Sequence, residues 1–368
     1  MARSGKKRLR ALWLQVHKWI GLTLAVLIIP ISLTGSALVW KGWLDTKVEP
    51  QRYARLGPAS LQPSAYADAA RSVLGPGDRM SELRFPKDGG PIVAVAARAS
   101  EGRPTRTSIW LDPRDAALID RATGNSGLVQ TMHVLHGSLM VPGWGRTIVG
   151  WVGAFMFGSC LTGIWLWWPL TGSITSGLRW KRRNTVNANI HYMAGFWVLF
   201  PLAMLSATGA WISFPKVFGT FENKAPASDR ERAVRAKPLE RSRQSVESAV
   251  AAAQPFAPGR LASIAWPTDQ KPEWRVTFDS KSGPAVVTVA DSSGMAKAAP
   301  PPQQPETLAR KMRRWHDGTG MGPVWQVAIF VGGIIPALLS ITGIIIWWRA
   351  RTPRSRARAN RAAIRQPA

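Results

Sequence analysis

The sequence predicts a membrane α-helical protein: a four-helix transmembrane bundle built from two parallel two-helix repeats, with two small outward-facing α+β domains. Three observations carry this. Four long stretches contain no Asp, Glu, Lys or Arg, basic residues gather on one side of them, and four of the five histidines recur in register between the halves of the chain.

The charge-free stretches run Trp19 to Trp40, Thr147 to Leu178, Asn184 to Pro215 and Gly318 to Trp348. About 20 apolar residues cross the hydrocarbon core, and each stretch is longer than that, so each can span a bilayer. The resulting segments are an N-terminus 1–18, span 19–43, outward domain 44–142, span 143–170, loop 171–189, span 190–215, outward domain 216–317, span 318–348 and basic tail 349–368. The first span imitates a signal peptide, with "KKRLR" ahead of an apolar run and "GSA" after it. The run exceeds the usual apolar core of such peptides, and the repeat described below requires it as a helix.

Charge sets the orientation. The N-terminus up to Lys18 carries six Lys/Arg, the loop four and the tail seven, and every Asp and Glu falls in the two long segments. By the positive-inside rule both termini and the loop are cytoplasmic. A net charge of +27 would otherwise suggest a nucleic-acid partner. Its concentration in topogenic segments removes that reading; the partner is the lipid bilayer, with no nucleic acid.

The repeat is read by overlaying the spans. "HKWIG" (17–21) and "SLTG" (32–35) match "HYMAG" (191–195) and "SATG" (206–209) at an offset of 174. "LTGIWLWW" (161–168) matches "ITGIIIWW" (341–348) at an offset of 180, which also carries His136 onto His316 and Gly153 onto Gly333. Equivalent helices run in the same direction, so the repeats are parallel about an axis along the membrane normal. His17 and His191 then face each other near the cytoplasmic side, and His136 and His316 near the outer side.

Two facing imidazoles within a helical bundle suit the axial positions of one haem iron, because the porphyrin supplies the other four ligands. Zinc needs about four ligands, and no Cys, Asp or Glu stands beside these histidines at ligand spacing. A proton relay needs no pairing. The chain has no CxxCH and one cysteine, Cys160, so covalent haem attachment and disulfides are excluded. The expected cofactor is haem b, two per chain, with His17, His191, His136 and His316 as iron ligands. The bland alternative is four interfacial histidines.

His133 breaks the register, because its counterpart at an offset of 180 is Arg313. It stands three residues before His136, as a rival ligand, a propionate partner, a proton donor or a plain surface histidine. The four Thr-Gly pairs (Thr34–Gly35, Thr162–Gly163, Thr208–Gly209, Thr342–Gly343) each fall at the face opposite their own span's histidine. Glycine there admits a porphyrin edge and threonine bonds the backbone or a propionate; packing of helices through small residues explains them equally well. Trp167, Trp168, Trp347 and Trp348 read first as an interfacial belt.

The outward segments share an order of elements. "PSAYADAARSVL" has helical spacing and precedes the strands "SELRF", "IVAVAAR" and "TSIWLD"; "SVESAVAAAQPF" precedes "LASIAW", "EWRVTFD" and "AVVTVA". Each predicts an α+β unit of about 60 residues, and the runs "ENKAPASDRERAVRAKP" and "AAPPPQQP" read as linkers. Neither shows a nucleophile with a base, a phosphate loop or a metal cluster.

Together "VHKWIGL", "LHG", "NIHYMAGFW", "WHDGTG", the Thr-Gly pairs and the helix-then-strands modules resemble the PepSY-associated transmembrane proteins, over nearly the whole chain. These are iron-regulated bacterial inner-membrane proteins that include siderophore reductases. The resemblance implies PepSY-like outward domains in the periplasm and a two-haem protein that reduces iron held in a chelate there, with haem ligation on the four matching histidines. A ferric siderophore or other iron chelate is the implied acceptor. No flavin or nicotinamide fingerprint is present, so the electron donor is another molecule, a quinol or a cytoplasmic reductase. Two other classes stand beside this one. A non-enzymatic PepSY-type membrane module without haem would show no Soret absorbance. A transporter fits less well, since the spans lack the charged residues of an ion path.

Overall fold

The computed structural model describes residues 2–55, 57–98, 104–124, 126–167, 185–219, 236–280, 283–299 and 307–351. Trp168, the expected inner loop up to residue 184, most of both linkers and the tail from 352 lie outside them. In chain order the described helices are α1 (Ala2–Val39), α2 (Lys41–Val48), α3 (Pro63–Ser72), α4 (Leu128–Ser138), α5 (Gly145–Trp167), α6 (Val186–Ser213), α7 (Pro215–Phe218), α8 (Val246–Ala253), α9 (Leu308–Asp317) and α10 (Pro323–Arg351). The strands are β1 (Asp78–Arg84), β2 (Ile92–Arg98), β3 (Thr105–Leu111), β4 (Leu118–Thr123), β5 (Arg260–Ala265), β6 (Glu273–Ser280), β7 (Gly283–Ala290) and β8 (Ala296–Ala298). They form two compact units, one of Met1–Lys41, Thr131–Asn223 and Glu306–Ala368, the other of Gly42–Gln130 and Lys224–Pro305.

The first unit is helical. Four helices are long and apolar enough to cross a membrane: Arg8–Val39 within α1, then α5, α6 and α10. An apolar run in lipid must satisfy its backbone internally, which a helix does. α1 packs on α10 and on α5, and α6 packs on α5 and on α10. Small residues let these backbones approach. A Cβ on Gly153 would lie 3.0 Å from the Ser206 carbonyl, and one on Gly333 would meet the Ser36 side chain and the Ser32 carbonyl. Ser36 itself donates across to the Phe330 carbonyl at 3.1 Å. Cys160, Val198 and Leu202 form the buried apolar contact between α5 and α6.

Two short helices complete this unit and matter most for the site. Neither His136 nor His316 lies on a spanning helix. His136 is on α4, which stops where Leu139 and Met140 adopt left-handed φ of 51° and 58° and Val141–Trp144 turns the chain into α5. His316 is on α9, opened by Thr307, whose hydroxyl accepts from the Arg310 amide at 3.3 Å. Gly318, left-handed at φ 74°, closes it with a 2.8 Å bond from its amide to the Arg314 carbonyl. Residues 131–142 and 306–317 therefore belong with the helices, not with the outward domains to which the sequence boundaries assign them.

The second unit departs further from expectation. The two modules do not stand apart as two small domains: their strands form one antiparallel sheet in the order β4-β3-β2-β1-β5-β6-β7-β8. The seam pairs Glu82 with Ala265, Leu83 with Ile264 and Arg84 with Ser263. One core runs beneath it, joining Tyr66, Leu83, Ile109 and Leu111 to Ile264, Trp274, Val276 and Val289. Helices α3 and α8 pack together on that core, and Glu247 accepts from the Ser64 amide at 2.7 Å. The physical reason is edge strands. Apart, β1 and β5 would each present an unpaired row of backbone groups, over a core that is only marginal at about 60 residues.

Candidate functional site

Thr162, near the C-terminal end of α5, donates its hydroxyl to the Ser159 carbonyl at 3.0 Å. Its oxygen keeps a lone pair, and His17 Nδ1 meets that oxygen at 2.9 Å and the Ser159 carbonyl at 3.2 Å. The same arrangement recurs on the other half. Thr342 donates to the Leu338 carbonyl at 2.8 Å, and His191 Nδ1 lies 3.1 Å from both Thr342 Oγ1 and the Leu339 carbonyl.

The second group follows the same chemistry. Thr208 donates to the Met204 carbonyl at 2.7 Å and meets His316 Nδ1 at 3.0 Å. His136 Nδ1 lies 2.9 Å from the Ile31 carbonyl, while the adjacent Thr34 hydroxyl is turned to the Pro30 carbonyl at 2.6 Å. Each Nδ1 faces a backbone carbonyl or a threonine hydroxyl turned to its own helix, with the Ser159 hydroxyl a further neighbour of His17 at 3.2 Å, an environment that suits an N–H on Nδ1. The proton on Nδ1 leaves the lone pair on Nε2, and no described residue bonds any of the four Nε2 atoms. A histidine held through Nδ1 by a carbonyl or hydroxyl, with Nε2 free, is the tautomer and orientation a metal takes.

Glycine completes each seat. A Cβ on Gly35 would lie 2.6 Å from His136 Cε1, and one on Gly209 would lie 3.2 Å from His316 Cε1. Gly163 and Gly343 stand in the same relation to His17 and His191, at 3.4 and 3.5 Å. The expectation that these glycines admit a porphyrin edge is thus replaced by a nearer occupant, the imidazole from another helix. Threonine likewise bonds the histidine and its own helix. Helix packing through small residues falls instead to Gly153 and Gly333.

His136 and His316 hold their ring centroids 5.9 Å apart, inclined by 39°. They do not bond each other. Metal–imidazole bonds are about 2 Å, so two rings on opposite sides of one ion keep their centroids roughly 6 Å apart; the pair fits an ion with two axial imidazoles. His17 lies within electrostatic reach of His191. Among the described residues no group of three or more His, Cys, Asp or Glu converges, so the donor set that His136 and His316 offer is two nitrogens. That matches haem, whose porphyrin brings the remaining ligands, better than it matches a protein-only metal cage.

Of the other sequence candidates, His133 is exposed on α4, and it is His136 that meets the Ile31 carbonyl and the His316 ring. Trp167 is not a belt residue: it is 4% exposed and stacks on Phe196 with centroids 4.3 Å apart. Trp348, 66% exposed, keeps the belt position. The partners missed by sequence are the carbonyls of Ile31, Ser159 and Leu339. Only the helix register could have signalled them, since each lies three residues before the threonine of a Thr-Gly pair.

Residues 14–350 match the family described as the PepSY-associated TM region. No curated protein matches the chain.

Proposed function

The chain belongs to the family of the PepSY-associated TM region and is a multi-pass membrane protein; from that premise we propose that it is a transmembrane di-haem b-type electron-transfer protein. In this reading it sits in a bacterial inner membrane with both termini cytoplasmic, an orientation that the charge distribution supports. It takes electrons from a quinol or a cytoplasmic reductase and delivers them one at a time to a ferric chelate in the periplasm, releasing ferrous iron. The enzyme class is a ferric-siderophore reductase.

The observation that carries the proposal is the fourfold seat: each histidine sets its Nδ1 against a carbonyl or a threonine hydroxyl, and no described residue bonds its Nε2. His17 and His191 would hold one haem and His136 and His316 the other; the iron supplies reversible one-electron chemistry. The chain's own work is positional. Thr162, Thr342 and Thr208 fix ring orientation and raise ligand basicity through the Nδ1 bond, and the glycines bring each ring against its helix. The two parallel two-helix repeats give both ends equivalent seats, with the Cys160–Val198–Leu202 contact within the bundle.

The test is haem content. A pyridine haemochrome assay on the purified chain is expected to give about two haems b per polypeptide, both low-spin as two imidazoles require. His191→Ala should lose the first low-spin signal or convert it to high spin and leave the second intact, and His316→Ala should do the reverse. A chain that binds no haem overturns the reading, and a ratio near one overturns one site. If His133→Ala, and not His136→Ala, removes the second signal, the ligand assignment on α4 is wrong.

A further inference from the structure

The four seats share one plan, and one side chain departs from it. Three residues before the threonine of each Thr-Gly pair stand Ile31, Ser159, Leu205 and Leu339. The carbonyls of Ile31, Ser159 and Leu339 meet histidine Nδ1 atoms, so in those seats this position lies against the ring. Ile31, Leu205 and Leu339 carry apolar side chains there. Ser159 alone carries a hydroxyl, and its Oγ stands 3.2 Å from His17 Nδ1. Its repeat counterpart Leu339 brings His191 a carbonyl at 3.1 Å and no second hydroxyl.

Ser159 is buried on α5, which packs on α1. A buried hydroxyl is unfavourable unless it is bonded, and serine is a weaker helix former than leucine. Among the described residues the Ser159 hydroxyl bonds only the His17 ring. Neither the helix nor the apolar packing gains from serine here; the ring does.

The sense of that bond follows from ligation. When Nε2 holds an iron, the neutral ring carries its proton on Nδ1, and a hydroxyl facing that nitrogen accepts. His17 Nδ1 then has three oxygens around it, Thr162 Oγ1 at 2.9 Å and the Ser159 carbonyl and hydroxyl at 3.2 Å each. His191 Nδ1 has two, both at 3.1 Å. An acceptor behind the ring draws the proton outward and raises the basicity of Nε2. A more basic ligand favours ferric over ferrous iron, so such a bond lowers a haem potential.

Resting on the di-haem reading, we propose that Ser159 is a positioning residue whose hydroxyl, acting through the His17 ring, lowers the midpoint potential of the haem held by His17 and His191. A lower potential makes that haem the stronger one-electron reductant and favours passage of the electron onward to the His136–His316 end.

The test compares Ser159→Ala with Ser206→Ala, which removes another buried hydroxyl, from α6, two residues before its threonine. Both haems are titrated by absorbance, the first being the signal that His191→Ala removes. In Ser159→Ala the first potential is expected to rise, so that at a fixed potential its reduced-to-oxidised ratio increases about three-fold, the scale of one neutral hydrogen bond. Haem content, the low-spin state and the second potential should stay at wild type. A purely structural serine would cost haem content and leave the potential of the retained haem in place; that result overturns the proposal. Should Ser159→Ala lose the first haem entirely, Ser159→Cys, with a weaker hydrogen-bonding group of similar size, carries the same expectation. A first potential equal to that of Ser206→Ala overturns the tuning role, even though the wild type binds two haems. A wild type without haem overturns the electron-transfer reading itself, and this role with it.

Discussion

A methyl group added at Gly35 would stand 2.6 Å from His136 Cε1, closer than carbon atoms approach without displacement, whereas one at Gly343 would stand 3.5 Å from His191 Cε1, an ordinary contact. The four glycines, alike in sequence, are thus unequal in tolerance. Gly35→Ala is expected to push the His136 ring off its bond to the Ile31 carbonyl and to weaken or convert the second low-spin haem signal. Gly343→Ala should leave the first signal near wild type. Absorbance and paramagnetic resonance spectra of the two variants check this, and equal behaviour would contradict the seat geometry. The histidines and Thr-Gly pairs were legible in the sequence because both repeat at fixed offsets. Their partnership was not. Spacing along a helix gives the level of a residue in the bundle, but which neighbouring helix supplies the imidazole is decided by packing. Hence threonine was read as a partner for a propionate and not for His17, His191 or His316.

Among elements, the turn from β3 to β4 illustrates what hidden polar chemistry holds in place. Asp112 is fully buried at its start, and its carboxylate accepts from the Arg114 amide at 2.9 Å, from both ends of the Arg114 guanidinium and from Arg55. The Arg114 guanidinium holds its pKa down to about 2. A carboxyl depressed on folding adds stability above its ordinary range and loses it as pH falls through the folded value, so this turn should loosen between about pH 4 and pH 2. Asp112→Asn should speed hydrogen exchange over residues 112–117 relative to wild type at neutral pH, with the difference closing in acid. A difference that persists unchanged at pH 2 would contradict the ion-pair origin. The elements themselves were legible where periodicity is strong: the four spans, helices α3 and α8, and six of the strands. β4 carries Asp120 and Arg121 and has no alternating apolar face, and β8 has three residues, so neither edge strand shows a pattern. The separate helices α4 and α9 were also hidden: both precede the charge-free runs that mark the spans, α9 with Arg310, Lys311, Arg313, Arg314 and Asp317 in it, so both read as parts of the outward segments. Fusion of the two modules into one sheet leaves no trace in either module alone, since β1 and β5 look like any other strand.

For the whole molecule, the proposed electron transfer would run between two separable ends. His17 precedes Thr34 on α1 by the same interval that separates His191 from Thr208 on α6, between four and five helical turns. At about 1.5 Å per residue the two histidine levels are roughly 25 Å apart, most of a hydrocarbon core about 30 Å thick. Neither level alone reaches both faces, so charge must pass from one to the other for electrons to cross. Proteoliposomes with dithionite on the cytoplasmic side of the chain, and ferric chelate with a ferrous-trapping dye on the other, should show ferrous iron accumulating with wild type. His191→Ala breaks the first level only. It is expected to abolish this transfer across the bilayer while leaving chelate reduction intact when dithionite and chelate share the periplasmic side. His316→Ala should lose both. Because each variant keeps one seat, the pair separates delivery from discharge. Transfer at the wild-type rate in His191→Ala would mean that electrons do not enter through the His17–His191 level, and the two-level path would have to be abandoned.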